Sequence, residues 1–114
     1  MTIEHVTDLS FDAQVLGSSE PYLLAFSAVW CAPCRALAPI LEEIAREQRG
    51  RLRVGKIDID DSPAVAARLG IRGAPTVVLF HGGHEQGRLL GLTSKRKLLA
   101  LARLTDAPVQ LPVT

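Results

Sequence analysis

A chain of 114 residues, 47% apolar and 22% charged, has the size and composition of one folded domain, too small for two cores and too apolar for disorder. A formal net charge of +1, with no basic stripe and no aromatic platform, excludes a nucleic-acid surface of the usual kind. No apolar run is long enough to span a bilayer, and the polar, acidic start from Met1 to Asp12 lacks the order of a secretory signal, so the expected setting is the cytosol.

The pattern of residues predicts a short strand over Ile3 to Val6, a short helix over Ser10 to Leu16 and a turn at Gly17-Ser18-Ser19-Glu20-Pro21. Tyr22 to Phe26 is a continuous apolar run of strand length, as expected of a strand buried on both faces. Leu37, Ile40, Leu41 and Ile44 then recur at helical spacing, with Glu42, Glu43, Arg46 and Glu47 on the outer face and Gly50 as the stop. Pro39 inside that helix removes a backbone donor and predicts a kink. Leu52 to Ile59 reads as the next strand. Ser62-Pro63 opens a helix as N-cap and first residue, and Gly70 closes it after Leu69. Thr76 to Phe80 is a strand, turned by His81-Gly82-Gly83-His84 into a hairpin with Gln86 to Leu90. Ser94 caps a last helix whose Leu98, Leu101 and Ala102 share a face, and 106–114, with two prolines and no helical period, reads as a tail to a domain over 1–105. Strands separated by helices imply parallel crossovers and the late hairpin is antiparallel, which gives an α/β fold with a mixed sheet and helices on both faces.

Both cysteines lie in Trp30-Cys31-Ala32-Pro33-Cys34. Disulfide stabilisation grows with the loop closed, and this loop is near the minimum, so the pair is read as chemistry rather than as a staple. A zinc half-site would need two more ligands from His5, His81 and His84. No metal is expected, and the three histidines are read as surface residues.

The chain resembles the thioredoxin family over roughly residues 2 to 104. The resemblance rests on Phe26 through Cys34, on Pro39, on Lys56-Ile57-Asp58-Ile59-Asp60, on Ile71-Arg72-Gly73-Ala74-Pro75-Thr76 and on Gly91. It implies a thioredoxin fold, a central mixed five-stranded sheet flanked by about four helices, and a thiol–disulfide oxidoreductase that reduces protein disulfides. In that reading Cys31 is the nucleophile and Cys34 the resolving thiol. Pro75 is a cis-proline facing them, and Trp30, Ala74, Pro75 and Gly91 form the groove for an extended substrate segment. The resemblance also implies no tightly bound cofactor, a monomer, disulfide-containing proteins as substrates, and a thioredoxin reductase as the electron source, through which NADPH enters indirectly.

Placed at a helix N-terminus, the Cys31 sulfur meets unpaired N–H groups and the positive end of the macrodipole, which favour thiolate. Cys34, one turn further in, is expected to be the less exposed of the two. Pro33 withholds a donor from the sulfur, and the Ala32-Pro33 dipeptide, without a histidine, points to a reductant rather than an oxidant or isomerase. Ala32 stands where the family usually has glycine, and Ser27 where it usually has tryptophan. Ala25 is the larger departure: thioredoxins usually carry a buried aspartate there, which assists proton transfer at the resolving cysteine. Its absence leaves open an alternative, a thioredoxin-fold binding module with weak turnover. Lys56 loses its usual acidic neighbour, and alternation puts Asp58 on its strand face, so a Lys56–Asp58 pair with a supporting role is expected.

Overall fold

The computed structural model describes residues 3–110, with side chains as far as Arg103. Its elements are β1 (Glu4–Val6), a π-helical turn (Asp12–Leu16), β2 (Tyr22–Ser27), α1 (Ala32–Glu47), β3 (Arg53–Asp58), α2 (Pro63–Arg68), β4 (Thr76–His81), β5 (His84–Leu90) and α3 (Lys95–Gln110). The five strands form one mixed sheet in the order β1-β3-β2-β4-β5.

β1, β3 and β2 run parallel, whereas β4 is antiparallel to β2 and β5 to β4. The direction of β4 departs from the expectation that every helix-separated pair of strands is parallel. The chain re-enters the sheet at the end where β3 left it, and Thr76, the first residue of β4, pairs with Phe26 near the end of β2.

Alternation along β2 divides the core in two. Leu23 and Ala25 face α1 and α3 in a cluster with Leu37, Leu41, Ile44, Val54, Val77, Leu79 and Leu98. Tyr22, Leu24 and Phe26 face the π-helical turn and α2, with Phe11, Ile57, Val65, Val78 and Phe80. Pro39 lies inside α1 on an exposed position. Helix α3 starts at Ser94, whose hydroxyl accepts the Lys97 N–H at 3.2 Å. It continues to Gln110, past the point where the sequence reads as a non-helical tail. The rest of that stretch, 111–114, lies outside the described residues.

Helix α2 is capped from a distance. Ser62 occupies the N-cap position, yet its hydroxyl caps nothing in the helix and accepts the Asp8 N–H instead. The Asp8 carboxylate takes the Ala64 and Val65 N–H groups at 3.0 and 2.9 Å, since its two oxygens can satisfy two orphan donors where one hydroxyl satisfies one. The loop after β1 is thereby tied to the helix that follows β3.

Near the far end of the sheet Tyr22 is fully buried, and its hydroxyl donates to Glu4 Oε1 at 2.7 Å. Partial burial pushes the Glu4 carboxyl up, but hydrogen bonds from Arg53, Tyr22 and Gln14 outweigh it and hold the group below its usual range. Burial and the bond to Glu4 push the Tyr22 phenol well up. Gly55 is what makes room for this ring: a Cβ there would stand 2.9 and 3.0 Å from ring atoms Cε1 and Cζ, and nearer still to the phenol oxygen. Replacing a strand glycine by alanine ordinarily gains roughly 0.5–1 kcal/mol, but overpacking a filled site costs about 1–3 kcal/mol. Gly55→Ala is therefore expected to lose about 1–2 kcal/mol in a chemical denaturation experiment. The loss is expected to shrink in a Tyr22→Phe background, where the closest atom is gone.

Candidate active site

Strand β2 delivers the chain to the site and α1 carries it away. Between them Cys31 is the N-cap of α1 in extended backbone, with Ala32 and Pro33 as the exposed first helical residues. Cys31 and Cys34 are joined in a disulfide with their Cα atoms 5.3 Å apart. The Cys34 N–H donates to Cys31 Sγ at 3.2 Å, and the Cys31 N–H is taken by the Ala28 carbonyl at 3.1 Å. Pro33 has no N–H to add. One backbone donor is thus aimed at the Cys31 sulfur, where it favours thiolate once the disulfide is reduced.

The loop before β4 closes over the sulfur from the other side. The Ala74–Pro75 peptide bond is cis, as the resemblance implies, and Pro75 is buried. The Ala74 carbonyl oxygen lies 3.4 Å from Cys31 Sγ. In the dithiol that oxygen can accept an S–H proton, which favours thiol, so it opposes the Cys34 N–H. Thr76, whose hydroxyl donates to the Gly73 carbonyl at 2.7 Å, fixes this loop. Gly91 holds its far side: its N–H donates to the Pro75 carbonyl at 2.8 Å, from a left-handed backbone (φ +79°) that favours glycine.

Exposure does not follow the expected order. Cys31 is 3% exposed and Cys34 9%, because Ala74 and Ile59 pack against the pair and the Ala74 carbonyl sits over Cys31. What distinguishes Cys31 is its place at the helix N-terminus, not its accessibility.

Trp30 is largely exposed, and its indole N–H donates to Asp60 Oδ2 at 2.8 Å. Asp60 belongs to the turn after β3, and that turn is built by Asp58, whose Oδ1 accepts the N–H groups of Asp60 and Asp61 at 2.8 and 3.1 Å. The expected Lys56–Asp58 pair does not form. Backbone donors two and three residues on are fixed within reach of Asp58, whereas a lysine would have to give up chain entropy to compete. Lys56 is exposed, in register between His5 and Ala25, and makes no ion pair among the described residues. Asp58 is thus linked to Trp30 through the turn that carries Asp60. Arg35 is a further contributor that pattern reading missed: its guanidinium reaches back to the Val29 carbonyl at 2.8 Å and braces the turn that carries Trp30 and Cys31.

Behind the site Ala25 is 2% exposed within the apolar cluster under α1. Among the described residues no group of three or more His, Cys, Asp or Glu side chains could hold a metal ion. No helix among them is long and apolar enough to cross a membrane.

A cysteine pair at a helix N-terminus facing a cis-proline loop is the arrangement that the comparisons with known proteins also find. The family model described as Thioredoxin matches residues 2–103. The chain belongs to the thioredoxin family. It is 48% identical over 98 residues to a thioredoxin of Acidithiobacillus ferridurans, covering 86% of this chain and 91% of that one. With a thioredoxin of Pseudomonas aeruginosa the identity is 41% over 98 residues, at the same coverage of 86% and 91%. A bifunctional thioredoxin reductase/thioredoxin of Mycobacterium leprae is 48% identical over 99 residues, 87% of this chain, which spans only 21% of that protein's length. Thioredoxin-family membership and the Cys31–Cys34 disulfide make the chain a thiol–disulfide oxidoreductase, whose redox centre is the cysteine pair and not a prosthetic group. The alternative of a binding module with weak turnover is not favoured by them.

Proposed function

We propose that this protein is a cytoplasmic, monomeric protein-disulfide reductase in which Cys31 attacks and Cys34 resolves. The observation that carries the assignment is the Cys34 N–H donated to Cys31 Sγ at the first turn of α1. In the dithiol, the Cys31 thiolate attacks one sulfur of a substrate disulfide, forming the Cys31–substrate bond and expelling the other substrate sulfur as thiolate. The Cys34 thiol then loses its proton and attacks Cys31 Sγ, and the second substrate sulfur leaves. Two electrons pass to the substrate, which takes up two protons, and the Cys31–Cys34 disulfide is left. Trp30, Ala74, Pro75 and Gly91 line the surface on which the substrate segment lies, with Ala32, Pro33 and Asp58 in support.

The disulfide is returned to dithiol by a thioredoxin reductase that draws on NADPH, which places the protein in thiol-based electron transport and redox homeostasis. The name of the Mycobacterium leprae relative, which joins both activities in one protein, supports that pairing. The test is insulin reduction with dithiothreitol as electron donor. The protein is expected to accelerate it, and a rate equal to that of dithiothreitol alone overturns the reading. The midpoint potential of the Cys31–Cys34 couple separates a reductant from an oxidant or isomerase: a value more negative than about −220 mV is expected, against a cytosolic glutathione pool near that figure.

A further inference from the structure

Helix α1 runs for 16 residues from Cys31, its N-cap, to Gln48, its C-cap, a rise of about 24 Å. At its far end, between α1 and α3, lies a cavity of about 170 Å³ that the redox chemistry does not use. Pro21, Leu52, Leu99 and Ala102 supply its apolar lining, and Gln48, Arg51 and Arg103 its polar groups. The walls are fixed by backbone bonds. The Arg51 and Leu52 N–H groups both donate to the Gln48 carbonyl, at 2.9 and 3.0 Å, and the Arg53 N–H donates to the Pro21 carbonyl at 2.9 Å. Leu99 and Ala102 pack against the cluster that holds α1 and α3 on the sheet. The cavity is therefore preformed, and an occupant orders little of the chain on binding.

The charge around it is one-sided. Arg51 and Arg103 are exposed, and neither has an ion pair among the described residues. Neighbouring cations differ: Arg53 is bound to Glu4 at 2.8 Å, and Lys95 lies 3.0 and 2.8 Å from Glu43 and Glu47. A second cavity, which shares Leu52, is lined by Arg49 and Arg53 but also by Glu4 and Glu20, so its charges offset. The first has two guanidinium groups and, among the described residues, no carboxylate. The C-terminal end of α1 favours cations nearby, which accounts for Arg51 but not for a second guanidinium arriving from α3. Two like charges at one cavity repel, and an anion between them relieves the repulsion and gains charge-assisted hydrogen bonds. The apolar lining sets the rest of the occupant. An apolar cavity of about 150 Å³ takes benzene, and guanidinium groups stack on aromatic faces. Drug-sized ligands need roughly 300 Å³ or more, which excludes a nucleotide here.

We propose that this cavity is a binding site for a small carboxylate with an apolar body about the size of a benzene ring. Arg51 and Arg103 hold the carboxylate, and the ring lies against Leu52, Leu99 and Ala102. The site stands at the opposite end of α1 from the cysteine pair, so it holds whether or not the protein is a reductase.

The experiment titrates benzoate into the isotope-labelled full chain in its disulfide form and follows the backbone amide NMR shifts. Saturable shifts confined to residues 48–53 and 99–103 are expected, with a Kd on the order of 1 mM. Benzyl alcohol, which keeps the ring and lacks the charge, is expected to bind at least about tenfold more weakly, and acetate, which lacks the ring, to give no saturable shift. Arg51→Gln and Arg103→Gln should each weaken benzoate binding by about tenfold. Arg49→Gln, which removes the same charge from the neighbouring cavity, should keep the wild-type affinity. The amide spectrum reports in the same sample that each variant is folded. Shifts that do not saturate or that spread over the surface overturn the proposal. So do equal affinities for benzoate and benzyl alcohol, unchanged binding in the Arg51 and Arg103 variants, or an equal loss in Arg49→Gln.

Discussion

Replacing Cys31 by serine is expected to bring insulin reduction down to the rate of dithiothreitol alone, while replacing Cys34 by serine is expected to leave the first attack intact and trap substrates on Cys31. The two outcomes differ because the fold treats the two sulfurs differently. Cys31 caps α1 and receives the Cys34 N–H, so its thiolate is the one stabilised in advance. Cys34 lies in the first turn, packed with Ala28 and Cys31. Serine at position 31 is itself a favoured N-cap, able to accept the same N–H, so Cys31→Ser should fold normally and its loss of activity is chemical. Removing the disulfide costs little because the loop it closes is so short. In the Cys34→Ser protein the mixed disulfide has no resolving thiol, and adducts should be recovered from a lysate by non-reducing gel and mass spectrometry. Adducts carried by Cys34 in the Cys31→Ser protein, in comparable yield, would reverse the assignment.

The chemistry of this chain was more legible in its sequence than the scaffolding around the chemistry. The cysteine pair announces itself because a thiol at a helix N-terminus has a narrow physical use, whereas the Gly-Ala-Pro-Thr loop and Gly91 stand out through the resemblance to the thioredoxin family. The strands of the two-sided core could be read from unbroken apolar runs such as Tyr22–Phe26. What escaped reading are contacts made between residues far apart in the chain. Asp8 caps α2 across more than 50 residues, and nothing local distinguishes it from any other loop aspartate. Asp60 could have been flagged by the Asp58-Ile59-Asp60-Asp61 turn, but its indole partner lies 30 residues earlier. Arg35 sits at an exposed helical position where an arginine ordinarily signals nothing beyond solvation. The burial order of the cysteines depends on where the Ala74 carbonyl falls, a tertiary fact. The direction of β4 is likewise tertiary: helix-separated strands are ordinarily parallel, and here β4 pairs antiparallel with β2.

Introducing a carboxyl at Ala25 should have opposite effects on stability and on chemistry. Ala25 is 2% exposed and lies among Leu23, Leu37, Leu41, Val54 and Val77, so Ala25→Asp places a charge in an apolar cluster. Breaking an apolar core in this way is expected to cost about 3–5 kcal/mol at neutral pH. The cost has a definite pH signature. Burial raises the folded-state pKa of the new carboxyl above its unfolded value of about 3.9, so the deficit is smallest below that pH, where the group is neutral in both states. It grows by up to about 1.4 kcal/mol per unit as pH rises toward the folded pKa and is constant above it. Lys56, in register with position 25 and without an ion pair among the described residues, limits the penalty, so Ala25→Asp/Lys56→Met should be less stable at pH 7 than Ala25→Asp alone. Catalysis should move the other way. Leu37, Leu41 and Ile44 follow Cys34 on the buried stripe of α1 and position 25 packs with those three, so a carboxylate there is expected to take the Cys34 proton during resolution. General-base assistance of this kind is expected to speed the resolving step by about tenfold, less than a fully positioned base provides. Stopped-flow decay of a preformed mixed disulfide measures it, and denaturant unfolding across pH 4–8 measures the cost. If stability and the resolving rate fall together, the apolar residue at position 25 is not what limits proton transfer from Cys34.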